Sequence, residues 1–255
     1  MMVWGLIVWG MVAFAQEPPV PGSAEAEADD AIAEFKKNFY RSGSTEDELV
    51  LAVRTLGQTV HPKTQAVLVP LVTEGRGPVS TRIVAALVLA NFGKIDGTPE
   101  ALIKAYQRLC QNSETRMSSR PVRIQIVQSL GELKAESAAG LINSAILDKD
   151  PWIARAGAKA AGRLRGMSAI DPLIKRLQYL ESQGDKPSDV PDPSKDGRAP
   201  SDPGDNIDRH QKSERQVLQA PIHEALHAIT RQRQTCAETW AKWWAQNRKD
   251  YKVPP

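Results

Sequence analysis

Apolar residues recur every three to four positions along most of the chain, which is the spacing of one face of an α-helix. Between residues 44 and 182 the pattern comes in units that share an anchor of Leu followed by Ile or Val: Leu71-Val72, Leu102-Ile103, Leu141-Ile142 and Leu173-Ile174. Upstream of each anchor stands a glycine, at positions 57, 93, 131 and 162. We expect each glycine to end a helix in the left-handed conformation. Each unit therefore predicts a helix, a turn and a second helix.

Signals for helix starts fall between the same units. Thr45 and Glu48 have the spacing of a capping box, and Thr98-Pro99 and Asp150-Pro151 place a capping side chain before a proline at the first helical position. No segment alternates apolar and polar residues with β-branched enrichment, so we predict no sheet. A single helix pair cannot bury its own apolar face, and stacked pairs make one core. The expected fold class is all-α.

The best-defined unit is residues 148–177, which begins DKDPWIARAGAKAAG and continues with AIDPLIKRL at 169–177. It resembles the HEAT-repeat family, in particular the bacterial HEAT repeats once named after phycobilisome lyases. The resemblance covers about 30–250 and implies an armadillo-type fold, a right-handed α-solenoid of four to five helix pairs. In that family an Asp at the turn and an Arg on the first helix pair along the stack. Asp150 and Arg155 match these positions, and Arg82 and Arg123 match the Arg alone.

The resemblance indicates a function in binding rather than in catalysis. It implies a non-catalytic protein–protein interaction or scaffold module, and no residue points to a bilin chromophore. The end of the chain, Ile229-Thr230 followed by a tryptophan-rich helix, is similar to the terminal unit of exported bacterial HEAT proteins, although Arg231 stands where that family has Gly.

Composition changes along the chain predict five regions. Residues 1–15 are uncharged and end in Ala13-Phe14-Ala15, which is typical of a signal peptide and predicts export to the periplasm or the exterior. Residues 16–29 read as a flexible leader, and 30–182 as HEAT repeats with an N-terminal capping helix. Residues 183–213, rich in Pro, Asp and Ser, predict a disordered insertion, and its aspartates lack the spacing of a calcium loop. Residues 214–251 form an atypical terminal repeat.

Charge, hydropathy and cysteine spacing exclude several kinds of partner and site. The formal net charge of +3 and the lack of a Lys/Arg-rich run argue against nucleic acid as a partner. After residue 15 no apolar run is long enough to span a membrane. Cys110 and Cys236 lack zinc-type spacing, and we interpret them as two buried free thiols.

The sharpest chemical motif is HEALH at 223–227. His223 and His227 lie one helical turn apart and could share a zinc ion, with Glu224 as general base on the bound water. This predicts, as the alternative function, a zinc-dependent hydrolase resembling a metallopeptidase. Against it, Pro221 would interrupt the helix and no third ligand is obvious. The preferred interpretation has no cofactor, with the histidines bordering the core.

Two further groups of residues have open alternatives. Trp240, Trp243 and Trp244 share one helical face, either as a lid over the last repeat or as an exposed aromatic platform for a partner or a sugar. Arg82, Arg123 and Arg155 either line a groove that binds an acidic partner or satisfy carbonyls and aspartates within the stack.

Overall fold

The computed structural model describes residues 22–74, 77–93, 95–111, 118–184 and 204–254. In these ranges it contains eleven α-helices and no strand. Short 3-10 segments precede α7 and α9 and follow α4. The helices are α1 (Ala24–Phe39), α2 (Glu46–Leu56), α3 (Pro62–Thr73), α4 (Val79–Leu89), α5 (Thr98–Gln111), α6 (Arg120–Glu132), α7 (Ala139–Ile146), α8 (Pro151–Leu164), α9 (Ile170–Gly184), α10 (Gly204–Thr230) and α11 (Ala237–Asn247). The predicted signal peptide, 1–15, lies outside the described residues.

The helices form two layers that run the length of the stack. The even-numbered helices α2 to α10 pack one against the next, and the odd-numbered helices form the second layer on top of them. Each odd helix from α1 to α9 also packs on the even helix that follows it, so contacts run along and between the layers as in a solenoid. The predicted all-α stack is confirmed.

One continuous hydrophobic core joins the layers, and its buried members extend from Phe35 in α1 to Trp244 in α11. The predicted anchors Leu71, Leu102 and Leu173 are all buried in it. The third unit differs, because Leu141 is only half-buried and its neighbour Ile142 takes the interior position.

The capping predictions are confirmed at two of three places. The Thr45 hydroxyl accepts from the backbone N–H of Glu48, whose carboxylate accepts from the N–H of Thr45. Asp150 accepts from the backbone N–H of Trp152 at the start of α8. The prediction for Thr98 was wrong. Its hydroxyl donates to the carbonyls of Phe92 and Ile95, and so it fixes the preceding turn instead of capping α5.

Two helices, α1 and α10, begin earlier in the chain than the sequence predicted, because each extends beyond its apolar face. Helix α1 begins at Ala24, inside the predicted leader, where Ser23 accepts from the N–H of Ala26 and the first turn is rich in good helix formers. Helix α10 begins at Gly204, so the end of the predicted insertion is helical. Adding a residue to an existing helix costs far less than starting one, and polar residues can therefore extend it. Residues 185–203 lie outside the described residues.

The glycines of the repeat have a different role from the predicted one. Gly57 and Gly93 have φ angles of −70° and −62°, and Gly131 and Gly162 lie inside helices. Left-handed φ angles occur instead at the non-glycine residues Lys134, Arg165 and Arg231 and at other glycines, such as Gly77 and Gly97. A Cβ added to Gly57 would lie 2.6 Å from Cβ of Val88, one added to Gly131 would lie 2.6 Å from Cα of Ala160, and one added to Gly162 would lie 3.1 Å from Cα of Ala225. These three glycines therefore allow consecutive even helices to approach closely.

Within the described ranges, no helix has both the length and the apolar character needed to cross a bilayer.

Candidate functional site

The three arginines of the repeat lie in the first turns of α4, α6 and α8. Arg123 is only 2% exposed, and its guanidinium donates to the sulfur of Cys110, 3.9 Å away. It therefore lies inside the stack and does not line an exposed groove. Arg82 is half-buried, and the loss of solvent lowers the pKa of its guanidinium. Arg155 is also half-buried, with its guanidinium carbon 5.7 Å from the ring centre of Trp152. Of the three arginines predicted to line a groove, only Arg82 and Arg155 are partly exposed to solvent.

Asp150 forms an ion pair along the stack, but not with Arg155. Its carboxylate lies 2.9 Å from Nε of Arg120, the first residue of α6, while it also caps α8. The even helices run parallel with their first turns at one edge, which brings Arg120 within reach. The guanidinium of Arg155 therefore has no bond to Asp150 and lies over the ring of Trp152.

Two exposed aromatic residues lie beside arginines, Trp152 beside Arg155 and Tyr179 beside Arg176. Trp152 is 42% exposed and Tyr179 is 45% exposed. Each lies three residues from an arginine on its own helix, and the guanidinium of Arg176 lies 5.3 Å from the ring centre of Tyr179. Cation–π contacts of this kind hold both partners in defined positions. Sequence reasoning missed both aromatic residues, although the Arg–aromatic spacing of three was a visible signal.

The HEALH residues line a cleft of about 430 Å³ between α10 and the turn that leads to α11. His223 and His227 are half-buried in it and Glu224 is exposed. Helix α10 continues through Pro221, so the predicted interruption was wrong. Apolar residues on both sides of Pro221 are buried in the core and hold the helix there. The two histidines therefore do share one face.

Hydrogen bonds determine which nitrogen of each histidine carries the proton. Trp240 donates from Nε1 to Nδ1 of His223 at 3.3 Å, so the proton of neutral His223 is on Nε2. Burial lowers the pKa of His223, with an opposing effect from Glu181. Nδ1 of His227 lies 3.0 Å from the carbonyl of Gln232 and must donate to it, which leaves its Nε2 free to bind a metal. Only one of the two imidazoles thus presents a lone pair to the cleft.

The donors around this cleft do not form a complete ligand set. In the part of the chain that the structure describes, no three His, Cys, Asp or Glu side chains are close enough to hold one metal ion. A zinc site would need His223 to give up its bond to Trp240 and a third ligand from elsewhere.

The tryptophans of α11 close the end of the core. Trp240 is 1% exposed and Trp244 is 7% exposed, so neither forms an exposed platform. The ring nitrogen of Trp244 donates to Asp171 of α9 at 2.8 Å. Trp243 is half-buried, and its ring meets those of Trp240, Trp244 and Tyr251. The three indoles therefore pack against the last helices and the C-terminal tail.

Both cysteines are free, but each is half-buried and not fully buried as predicted. Cys236 lies at the start of α11, where hydrogen bonds with the hydroxyl and the backbone N–H of Thr239 lower the pKa of its thiol. Cys236 follows Thr235, which lines the cleft, and directly precedes the first turn of α11.

Comparison with known proteins identifies part of the stack. Residues 113–182 match the family model described as HEAT repeats. The matched range contains α6 to α8 and most of α9, including the unit at 148–177. No curated protein sequence matches the chain at a significant level.

Proposed function

We propose that this chain, which carries HEAT repeats, is a non-catalytic module that binds other proteins or holds them together outside the cytoplasm. HEAT repeats generally mediate protein–protein interaction or scaffolding. The observation that carries the proposal is the single core from Phe35 to Trp244. It uses the inward faces of all the helices for packing, so the outer faces and the edges of a long stack remain for partners.

Exposed large apolar residues lie on both edges of that stack. Leu147 and Trp152 are at the edge where the even helices begin, and Leu87 and Met167 are at the opposite edge. Single exposed apolar residues are normal on protein surfaces, whereas groups next to arginines are typical of interfaces.

Site-specific photo-crosslinking in the native host tests the proposal. A photoreactive amino acid replaces one exposed residue at a time: Lys149 near Trp152, Leu87, or Met167. We expect a specific crosslinked protein from at least one position, and excess unmodified chain should compete with it. Folded variants that give no specific product at any position would exclude a binding module.

We also propose that the chain is exported, on the basis of the uncharged residues 1–15 that end in Ala-Phe-Ala. Cell fractionation with mass spectrometry of the N-terminus tests this. The expected result is an envelope or extracellular protein that begins at Gln16. A cytoplasmic protein with Met1 to Ala15 intact would contradict it.

A zinc-dependent hydrolase is the second candidate, supported by the position of His223, Glu224 and His227 at one cleft. The metal content of the purified protein separates the two functions. Stoichiometric zinc that is lost in both His223→Ala and His227→Ala would favour the hydrolase. Zinc well below one per chain, unchanged in these variants, would favour the binding module.

A further inference from the structure

We infer that one surface is the principal docking site and that its ligand is an acidic protein segment that also carries apolar side chains. The surface, called here the Trp152 edge, consists of Leu147, Trp152, Arg155, Tyr179 and Arg215, with the buried Arg176 packed against the ring of Tyr179. This inference rests on the proposed protein-binding function and adds to it the surface and the chemistry of the partner.

Contacts between α8 and α10 bring the members of the Trp152 edge together. Gly162 packs on Ala225, and Nε of Arg165 donates to the carbonyl of Ala228 at 3.2 Å. Both contacts join residues with the same separation in sequence, so the two helices run parallel and Arg215 lies level with Trp152. The preceding residue, Glu214, is ion-paired with Arg176 of α9. Helix α10 therefore contacts both α8 and α9 near this edge.

The charge of the Trp152 edge is only partly neutralised. Arg176 is neutralised by Glu214, and nearby Arg120 by Asp150. Within the described ranges Arg155 has neither a hydrogen bond nor an ion pair, and its Nε is buried without an acceptor. Among the described residues, Arg215 makes one hydrogen bond, a long one of 3.4 Å from its Nε to the side chain of Gln219. Two guanidinium groups are thus available, and a carboxylate is the acceptor that fits their fork geometry.

The apolar part of the Trp152 edge explains why the partner would be a protein segment. Leu147 is 41% exposed beside Trp152 in the turn between α7 and α8. Trp, Tyr and Arg are the residues that contribute most to binding energy in protein interfaces. Because Arg155 lies over Trp152 already, a partner carboxylate on Arg155 would place its neighbouring side chain against the indole. A ligand with acidic and apolar side chains satisfies both parts.

The test uses the full mature chain and a defined probe. A fluorescein-labelled peptide of Glu and Leu is titrated against the protein, with a matched peptide of Lys and Leu as the control. We expect saturable binding of the acidic peptide, weaker at higher salt because the contact is ionic. Equal binding of both peptides, or binding that does not depend on salt, would overturn the inference.

Reversing the charge of Arg155 tests whether the acidic peptide binds at the Trp152 edge. Arg155→Glu should weaken binding of the acidic peptide by about tenfold or more, as expected for a central interface residue. Lys104→Glu on α5 makes the same charge change on another exposed surface and should leave binding unchanged. Arg155→Glu should also improve binding of the Lys peptide, a gain that misfolding could not produce. Equal effects of the two reversals would overturn the assignment to this edge.

Two further outcomes separate this inference from the proposed function. Crosslinks from Leu87 or Met167 with none from Lys149 would exclude the Trp152 edge and leave protein binding intact. No crosslinks from any of the three would remove both. Self-association that Arg155→Glu abolishes, measured by light scattering, would identify a second copy as the occupant and overturn the inference of an acidic partner segment.

Discussion

The indole nitrogen of Trp240 donates a hydrogen bond to Nδ1 of His223 and so joins the last two helices of the stack. A tryptophan N–H can only donate, which requires His223 to be unprotonated at that nitrogen. The bond therefore keeps the first histidine of HEALH in a structural role and holds the buried Trp240 in place. Coordination of a metal by His223 would require it to give up this bond.

Replacement of Trp240 should destabilise the fold strongly. Trp240→Ala removes an indole that is almost fully buried, and we expect a loss of roughly 3–5 kcal/mol in the free energy of unfolding. Trp243→Ala is the matched control on the next turn, and because Trp243 is half-buried its cost should be clearly smaller. Urea denaturation of both variants measures the difference. Equal costs would contradict the assignment of Trp240 as the buried residue that closes the end.

His223 should make the stability depend on pH. Burial lowers its pKa in the folded state below the ordinary value of 6.5, so the unfolded chain binds the proton more readily. Above pH 6.5, His223 is neutral in both states and does not affect the free energy of unfolding. As the pH decreases from about 6.5 towards the lowered pKa, the free energy of unfolding should fall. His223→Asn keeps an acceptor for Trp240 without a titrating group. Thermal unfolding from pH 7 to 5 should show a shallower slope for the variant, and identical slopes would exclude this contribution.

The close approach of α6 and α8 predicts opposite effects for two glycines. Gly131→Ala places a methyl group 2.6 Å from Cα of Ala160, and the helices must separate, at a cost of about 1–3 kcal/mol. Gly140→Ala on α7 meets nothing within 4 Å and should stabilise the protein by about 0.5–1 kcal/mol. Chemical denaturation of both variants tests the pair. If Gly131→Ala were also stabilising, the distance between α6 and α8 would not depend on the absence of a side chain at residue 131.

Cys236 should react as a thiolate at lower pH than an ordinary thiol. The hydroxyl of Thr239, 3.5 Å from the sulfur, and the Thr239 backbone N–H lower its pKa. Thr239→Val removes the side-chain bond and should move the pH profile of iodoacetamide alkylation to higher pH. Mass spectrometry follows the modified Cys236 peptide, and Cys110→Ser serves as the background. An unchanged profile would mean that the hydroxyl does not stabilise the thiolate.

The sequence predicted the helical stack well because burial of an apolar face leaves a periodic pattern. It predicted the role of the glycines incorrectly, since the same residue suits a left-handed turn and a close helix contact. The distinction depends on what lies opposite, such as Ala160 for Gly131, and no local pattern contains that information. The left-handed turns at Lys134 and Arg165 were equally invisible.

The candidate sites were harder to predict for a similar reason. The HEALH spacing correctly placed both histidines on one face, but the protonation of His223 depends on Trp240, seventeen residues away in sequence. Arg155 was identified by resemblance, whereas its lack of a carboxylate follows from Asp150 binding Arg120 instead. Such choices between partners are made by tertiary geometry.

The glycine contacts also bear on the shape of the stack. At Gly131 and Gly162 they bring the backbones of consecutive even helices close together, while the odd helices contact one another less extensively. Closer packing in one layer than in the other favours a curved stack, and we expect the even helices to lie on its inner side. Replacing Gly131 or Gly162 with alanine would therefore reduce the curvature of the stack as well as its stability. The curvature thus depends on the absence of a methyl group at each of these two positions.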